Sequence, residues 1–410
     1  MKKDQLSKTL LATALIGAVC GSQAMAGTGG PVTMEALQQQ MQELIKENRQ
    51  LTQRVGELEG KMTETNARTA EKLQTLEKEE VKTDPKKISD FVTLSGLIEV
   101  EFATGDDFAG ENFNSFDTST VELGLDIKAT DWATGHVLLK YEEDGDDDDF
   151  SVDEATITLG NTEKFPLTLT AGKFYMPFGN FATNMIQDPL TLEIGEINDS
   201  GAAIGFEANG FTAALYGYKG MKETDVDDPD DNDYTKMGYG VMAGYGYEKD
   251  DTSFTGGVSW TSNIADSDGA IADSGLITVE DSVNGFGVHV GAGFGPVSFI
   301  GEYITALDNF SQTEIGFLDQ GAEPSAWNTE LAYTTELLGR ETVFAIGWQQ
   351  TDEAVAIGLP ESRYLGSVGM EILPKTVLTL EYYYDNDYDT EDNGTGENAS
   401  VVTAKLAYEF

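Results

Sequence analysis

From residue 91 onward, apolar side chains alternate with polar ones in segment after segment of this chain. Period-2 alternation predicts β-strands that have one apolar face and one polar face. The first three such segments span 91–104, 119–129 and 133–142. In all, the predicted strands number sixteen and begin near residues 91, 119, 133, 151, 167, 201, 211, 237, 252, 281, 297, 325, 341, 362, 376 and 398.

The links between these strands alternate between short and long. The short ones include 130–132, Gly210, 295–296, 338–340 and 373–375. The long ones include 105–118, 143–150, 177–200, 220–236, 264–280, 307–324, 351–361 and 385–397. An even strand number with brief turns at one rim and long loops at the other is typical of a transmembrane barrel, and a soluble sandwich has no reason to alternate its links. We therefore predict an all-β fold, a 16-stranded antiparallel transmembrane β-barrel over residues 91–410.

The size of this barrel limits what it can enclose. Each strand with its link averages about 20 residues, which leaves about 10 residues per strand, the length that crosses a bilayer at the usual tilt. Sixteen strands make a barrel wide enough for an aqueous channel, whereas a plugged transporter needs about 22 strands and a further domain. We therefore expect solutes to pass without an energised plug.

Residues 1–26 have the features of a secretory signal peptide. Three lysines lie near the start, the run 10–19 is almost wholly apolar, and residues 24–26 read Ala-Met-Ala, a typical cleavage site. Cys20 is the only cysteine, and Val19 before it fits a lipoprotein signal poorly. The mature chain is therefore expected to lack cysteine, and neither thiolate chemistry nor a cofactor is expected.

Residues 27–82 contain the one segment of the chain whose apolar residues recur with helical periodicity. Its leucines recur every seven residues, at Leu37, Leu44, Leu51 and Leu58. Asn48 takes an a position in this heptad seam, where a buried asparagine fixes register in coiled coils. The pattern predicts a short coiled coil, a linker at 83–90 and a homo-oligomer; a lone amphipathic helix is the alternative.

The chain is strongly acidic, with a formal net charge of −47. Nucleic-acid binders derive affinity from Lys and Arg, so that class is excluded. The candidate pore-lining residues, on the predicted polar faces, are Glu99, Glu101, Glu122, Asp126, Lys128, His136, Lys140, Glu142 and His289. Further acids on these faces are Glu154, Glu207, Glu302, Glu330, Glu336, Glu371 and Glu381, with Arg363 and Lys405 as further bases. Since rings of carboxylates select cations, we expect a cation-preferring lumen; the alternative is that the acidity reflects a saline habitat.

The third long link, 177–200, is the longest in this assignment. Long loops are usually functional or disordered, so we predict that this one folds into the barrel and narrows it, the alternative being that it stands outside. Its candidate constriction residues are Asp188, Glu193, Glu196 and Asp199. Space beside it is offered by four lumen-facing glycines of the strand at 281–294, namely Gly285, Gly287, Gly291 and Gly293.

Two segments resemble known outer-membrane proteins. The alternating run from Val402 to Phe410 is similar to the C-terminal strand of bacterial outer-membrane barrels, whose final Phe is part of the signal read by the barrel-insertion machinery. The stretch 171–181, Ala-Gly-Lys-Phe-Tyr-Met-Pro-Phe-Gly-Asn-Phe, followed by Asp-Pro-Leu at 188–190, resembles the LbtU family of siderophore porins. That resemblance implies an outer-membrane location and the passage or reception of ferric siderophores without TonB coupling.

Other functions fit the sequence less well. A barrel hydrolase needs a Ser–His pair, but the chain has only two histidines and no G-x-S-x-G motif, so no enzymatic activity is expected. The acidic runs at 146–149 and 227–233 match no calcium-binding loop, and we expect them to bridge to lipopolysaccharide through divalent ions. Two alternatives stay open, a general cation-preferring porin and an outer-membrane tether that acts through the coiled coil.

Overall fold

The structure is a computed structural model that describes residues 91–143, 150–223, 234–276 and 278–410. Three predicted N-terminal segments lie outside these ranges: the signal peptide (1–26), the coiled coil (27–82, with Leu37, Leu44, Asn48, Leu51 and Leu58) and the linker (83–90). The acidic runs at 146–149 and 227–233 also lie outside them. These assignments stay predictions.

Sixteen antiparallel strands close into one barrel. In chain order they are β1 (Val92–Asp106), β2 (Asn112–Thr130), β3 (Ala133–Tyr141), β4 (Ser151–Asn161), β5 (Phe165–Tyr175), β6 (Asn198–Ala208), β7 (Phe211–Tyr218), β8 (Gly238–Lys249), β9 (Thr252–Thr261), β10 (Gly285–Phe294), β11 (Val297–Ala306), β12 (Ser325–Leu337), β13 (Arg340–Asp352), β14 (Ser362–Leu373), β15 (Thr376–Asn386) and β16 (Asn398–Glu409). Each strand pairs with its neighbours in the sequence, and β1 pairs with β16 to complete the ring. The predicted fold class and strand number are confirmed.

The outer face of the barrel is apolar, as the alternation predicts. Large side chains are exposed on strands all around the ring, among them Leu94, Ile157, Leu215, Ile346 and Leu380. An apolar belt of this extent marks a surface that meets lipid instead of water. The opposite face of each strand points into the lumen and carries the polar side chains.

The second strand is longer than the sequence predicted. It begins at Asn112 instead of 119, so the first link covers only 107–111 and not 105–118. The register between β1 and β2 shifts between Glu99 and Glu101. Because of this shift, the outward side chains of β2 change from even positions, such as Phe116 with 73% exposure, to odd positions, such as Ile127. The period-2 pattern is broken there, which made the strand look shorter.

Two of the long links also differ from their predicted bounds. The third spans 176–197 and the fifth spans 262–284, because β6 begins at Asn198 and β10 at Gly285. The fifth link is therefore one residue longer than the third, and the prediction that the third is the longest is wrong. The strand patterns did not reveal this because β10 has few large side chains on its lumen face.

The long links contain short helices and two-residue strands. Two short α-helices are α1 (Leu190–Gly195) and α2 (Ala270–Asp273), and single 3-10 turns lie at Ile264–Asp266, Val355–Ile357 and Thr390–Asp392. Two-residue strands form a small sheet from Lys222–Glu223, Tyr234–Thr235 and Thr278–Val279, and a hairpin from Gly316–Phe317 and Gln320–Gly321. Among the described residues, no helix is long and apolar enough to cross a membrane.

The hydrophobic core lies where the long links meet the inner face of the barrel. Four links contribute fully or almost fully buried side chains, including Ile194 from 176–197, Ile271 from 262–284, Ile315 from 307–324 and Ile357 from 353–361. These links therefore pack on one another and on the wall, and they fill one side of the barrel at its loop rim.

Candidate functional site

The link between β5 and β6, residues 176–197, lies inside the barrel, and we call it the inner loop. Its side chains Phe178, Leu190 and Ile194 are at most 1% exposed. They pack in one cluster with Ile304 and other lumen-facing side chains of β11 and β12. Helix α1, which belongs to this loop, contacts β11, β12 and β13. The barrel is therefore narrowed from the side of these strands.

The segment 171–181, which stood out in the sequence, forms the root of the inner loop. Phe174, Met176 and Phe178 are 8%, 4% and 1% exposed, and all three belong to the core cluster. Gly179 has a φ of +77°, and a Cβ at this position would meet the ring of Phe181. Only glycine adopts this backbone conformation without strain. The motif therefore serves to seat the loop on the barrel wall.

The wall under the loop is built from small side chains. We call the lumen faces of β10–β13 the packing wall; its small residues are Gly285, Gly287, Ala306, Ala326, Ala332, Ala345 and Gly347. A Cβ at Gly285 would lie 3.0 Å from the ring of Phe178, and one at Gly347 would lie 3.1 Å from the end of Met185. Gly291 and Gly293 lie nearer the turn rim, where a Cβ would meet side chains of β9 instead of the loop. Two of the four predicted glycines therefore make room for the loop.

A carboxylate on the packing wall binds the loop by its backbone. Glu302 on β11 accepts hydrogen bonds from the N–H groups of Asn180 and Phe181, at 2.6 and 3.0 Å. It also accepts one from the hydroxyl of Thr191 at 2.9 Å. Glu302 is 3% exposed, so its oxygens face the loop and not the open lumen.

Glu330 on β12 and Glu381 on β15 repeat this arrangement further along the loop. Glu330 accepts hydrogen bonds from the N–H group of Asn184 at 2.8 Å and from the hydroxyl of Thr183 at 2.6 Å. Glu381 accepts hydrogen bonds from the N–H groups of Ile186 and Gln187, the second at 3.0 Å. Both glutamates are 2% exposed. We call Glu302, Glu330 and Glu381 the loop clamps.

The loop clamps correct the sequence interpretation, which placed these three acids among the free charges of the lumen. They face the lumen but are covered by the loop. The loop binds them because, inside a barrel, it has no neighbouring strand to accept its backbone N–H groups. Neutral side chains that the sequence did not single out complete the attachment. Ser259 and Gln349 accept hydrogen bonds from the N–H groups of Gly179 and Leu190, at 3.1 and 3.2 Å. No local pattern marks these residues, since each partner lies far away in the chain.

The remaining acids of the loop face away from the packing wall. The electrostatic neighbours of Asp188 include Lys140 and Lys405 on the opposite wall, and those of Glu193 include Asp188 and Arg363. Glu196 is half-buried at the end of the loop. Enclosure by the barrel, together with the nearby carboxylates of Asp268 and Asp188, raises the pKa of Glu196 to about 8.

Across the lumen from the loop lies a wall of paired charges, formed by the lumen faces of β16, β1, β2 and β3. We call it the charged wall; its residues are Lys405, Glu99, Glu101, Glu122, Asp126, His136, Lys140 and Glu142. Lys405 lies 3.1 Å from Glu99, and Lys140 lies 2.9 Å from Glu142. Nδ1 of His136 lies 2.8 Å from Asp126. Carboxylates outnumber the lysines, so the wall is negative although every lysine in it is paired.

Three candidate residues lie away from this constriction. Lys128 is exposed at the turn rim, where it pairs with Asp131 at 3.4 Å. His289 faces the lumen on β10, next to Gly257 on β9. Asp199 belongs to β6 and accepts a hydrogen bond from the N–H group of Gly220 at 2.9 Å. Asp199 therefore binds the link between β7 and β8, which contains Gly220, and does not join the acids of the inner loop.

Two further charge groups lie on β12–β15. Arg363 binds Asp385 through two hydrogen bonds of 2.8 and 2.9 Å, so this base is neutralised by its partner. Glu336 on β12 and Glu341 on β13 lie directly opposite each other near the turn rim. Glu371 lies on the neighbouring lumen face of β14. In the described parts of the chain, no three His, Cys, Asp or Glu side chains are arranged to hold a metal ion. The acids therefore form an extended negative surface.

Comparison with known proteins identifies sequence relatives that share the description UPF0422 protein. The chain is 31% identical over 319 residues to the UPF0422 protein of Coxiella burnetii, a match that covers 75% of this chain and 67% of the relative. It is 26% identical over 364 residues to UPF0422 protein lpg2959 of Legionella pneumophila, covering 78% of this chain and 66% of the relative. The chain thus spans about two thirds of the length of these relatives. No family model matches it.

Solved structures with the same fold are outer-membrane channels. OprB of Pseudomonas putida superimposes with a TM-score of 0.56 at 10% identity, over 80% of this chain and 96% of that one. An anion-selective porin of Comamonas acidovorans gives 0.53 at 15% identity, over 78% and 99%. The outer membrane channel DcaP of Acinetobacter baumannii gives 0.52 at 17% identity, over 78% and 97%. At these identities the likeness establishes the fold, a porin-type barrel.

Proposed function

Since this chain belongs to the UPF0422 family and has the porin fold, we propose that it is an outer-membrane porin through which small solutes diffuse, with a preference for cations. One observation carries the proposal. The inner loop packs against one side of a closed barrel and turns its acids Asp188 and Glu196 toward the charged wall, where Lys140 is an electrostatic neighbour of both. A barrel that is narrowed by a loop and lined by charge has the arrangement of a selective channel.

The orientation follows from the barrel class. In outer-membrane barrels the long links face the exterior and the short turns face the periplasm. The inner loop therefore narrows the passage from the outer side, and the row Glu336, Glu341 and Glu371 lies at the periplasmic mouth. A permeating cation meets negative charge at both levels, whereas an anion is repelled at both.

The test is conductance of the purified protein in a planar lipid bilayer. A porin gives stepwise current increments without a partner or an energy source. A tether that acts through the predicted coiled coil does not need an open lumen and gives none. If protein that is shown to be folded and inserted gives no increments, the channel function is wrong and the tether takes its place.

For the transported solute, the resemblance of residues 171–181 to siderophore porins favours a ferric siderophore, taken up without TonB coupling. Because these residues seat the inner loop, they support kinship with such porins without forming a ligand site. The acidic lumen favours a cationic or neutral complex over an anionic carboxylate complex. Ferric siderophores that interrupt the single-channel current, when their iron-free forms do not, would support this assignment; equal effects of both forms would leave a general cation-preferring porin.

A further inference from the structure

We propose that Glu302, Glu330 and Glu381 are positioning residues of the channel, which set how far the tip of the inner loop, residues 183–188, reaches across the lumen. This inference rests on the proposed function, because it assigns these residues a part in setting the pore cross-section. It also reverses the role expected for them from the sequence, where they counted as charges that permeating ions meet.

The loop donors come in pairs with a regular spacing. The paired donors belong to residues 180 and 181 for Glu302, 183 and 184 for Glu330, and 186 and 187 for Glu381. Neighbouring backbone N–H groups that converge on one point form a binding site for an anion. The three glutamates stand on β11, β12 and β15, so the successive pairs lead the loop along the wall and out across the lumen.

The clamps matter most at the tip, because the hydrophobic packing of the loop decreases toward it. The parts of the loop on either side of the tip contribute Phe178, Leu190 and Ile194 to the large core cluster. The tip contributes only Met185, which packs with Leu365 and two alanines. The root would therefore stay in place without its clamp, whereas the tip depends on Glu330 and Glu381.

The last clamp also places the acid that faces the charged wall. Asp188 follows directly on Gln187, whose N–H group binds Glu381, and its side chain is exposed to the lumen. Freed from Glu381, residues 186–188 can draw back from Lys140 and Lys405. A change at Glu381 thus alters the width and the charge of the passage together, although Glu381 itself is covered.

The chemistry of the clamp requires a carboxylate. Its two oxygens accept both N–H groups, in hydrogen bonds strengthened by the negative charge. Glutamine has nearly the same shape, but it has one acceptor oxygen and would set its NH₂ group against the second N–H. Glu381→Gln therefore breaks the clamp with little change of volume.

The matched control is Glu371→Gln. Glu371 also faces the lumen, on the adjacent strand β14, and it accepts a hydrogen bond from the backbone N–H group of Lys375 in the turn. Both substitutions remove one negative charge from the lumen, but only the first touches the loop. In planar bilayers, Glu381→Gln should raise single-channel conductance by at least about half and add current noise, because the narrowest section controls ion flow. Glu371→Gln removes one charge from the periplasmic mouth without touching the loop, so it should shift ion selectivity without adding current noise.

A second readout follows the loop without using the current. Cysteine placed at Gln187 should react faster with a charged thiol reagent when combined with Glu381→Gln, and at the unchanged rate when combined with Glu371→Gln. Cys20, the only native cysteine, lies in the predicted signal peptide, so the introduced thiol is the only one expected in the mature chain. Equal conductance and equal labelling in the two backgrounds would overturn the positioning role. A silent wild-type protein would overturn the porin function instead, and labelling would still decide whether Glu381 holds the tip.

Discussion

The packing wall and the charged wall are each formed by four strands of the same barrel, but their lumen-facing side chains differ. On the packing wall, small residues such as Gly285 and Ala332 alternate with outward-facing apolar residues, and the space they leave is filled by the inner loop. On the charged wall, long side chains such as Lys140 and Lys405 reach inward and are held in ion pairs. The inner loop occupies the volume that the small side chains of the packing wall leave free. The proposed passage lies in the rest of the lumen.

The two walls also use glutamate in different ways. Glutamates of the packing wall accept backbone N–H groups and are covered, as Glu302 and Glu330 are. Glutamates of the charged wall, such as Glu99 and Glu122, lie opposite basic or polar side chains on neighbouring strands and face the lumen. Covered and open carboxylates should therefore respond differently to substitution.

The largest effect should come from removing the part of the loop that separates the two walls. Deleting residues 183–187 takes away the tip with its clamp contacts but leaves Phe178, Leu190 and Ile194 in the core. We expect single-channel conductance to rise at least about twofold, because the narrowest section is lost. The variant should insert normally, as judged by its heat-modifiable mobility on gels. An inserted variant with wild-type conductance would mean that the tip does not bound the passage.

Next in size should be the effect of neutralising the three acids of the inner loop. At a pH of about 9, where Glu196 is ionised, the triple variant D188N/E193Q/E196Q should lose about half of the cation preference, since charges at a constriction dominate selectivity. The control is D389N/E391Q/E397Q, which removes three exposed acids from the link 387–397 at the loop rim. Reversal potentials in a salt gradient compare the two. If the control shifts selectivity as much as the loop variant, general surface charge governs it.

A smaller effect should follow pH. The pKa of Glu196 is raised to about 8 by enclosure and by neighbouring carboxylates, so this group is neutral below that pH and negative above it. Cation preference should therefore increase as the pH rises through about 8 and decrease as it falls. Reversal potentials recorded between pH 6 and 10 measure this step. E196Q should abolish it, and a step that survives in E196Q belongs to another group.

The smallest effect should come from adding one charge to either wall. Thr120→Lys adds a lysine to the charged wall beside Glu99, and Ser298→Lys adds one to the packing wall near the turn rim. Fields in water are screened within about 10 Å at 0.1 M salt. The first variant should therefore reduce cation preference more than the second, in reversal potentials at equal salt. A larger shift from Ser298→Lys would place the passage on the wrong side of the barrel.

Much of the fold could be predicted because it depends on local alternation. The strand number and the closed antiparallel order follow from the period of two, and so does the inward direction of residues such as Glu122 and Lys140. The prediction was wrong where that period is interrupted, at the register shift near Glu101 that lengthens β2. It was also wrong about loop length, because Gly285 gives no apolar signal for a strand start.

The site could be predicted only in part. The inward course of the link 176–197 was predicted, whereas the constriction role of its acids Asp188, Glu193 and Glu196 stays a prediction. The loop clamps were not, because Asn180 and Glu302 meet across 122 positions of the chain. Nothing in the local sequence separates Glu381, which binds the loop, from Glu371, which does not; only the packing of the loop distinguishes them.

Ions are proposed to pass between the inner loop and a negative charged wall. The zero-current potential of wild-type protein in a planar bilayer, across a tenfold gradient of potassium chloride at low salt, decides whether they do. Cations that pass more easily than chloride make the dilute side positive, and this is the result that we predict. A dilute side that becomes negative would show that anions pass more easily, and the proposed route along the charged wall would be contradicted.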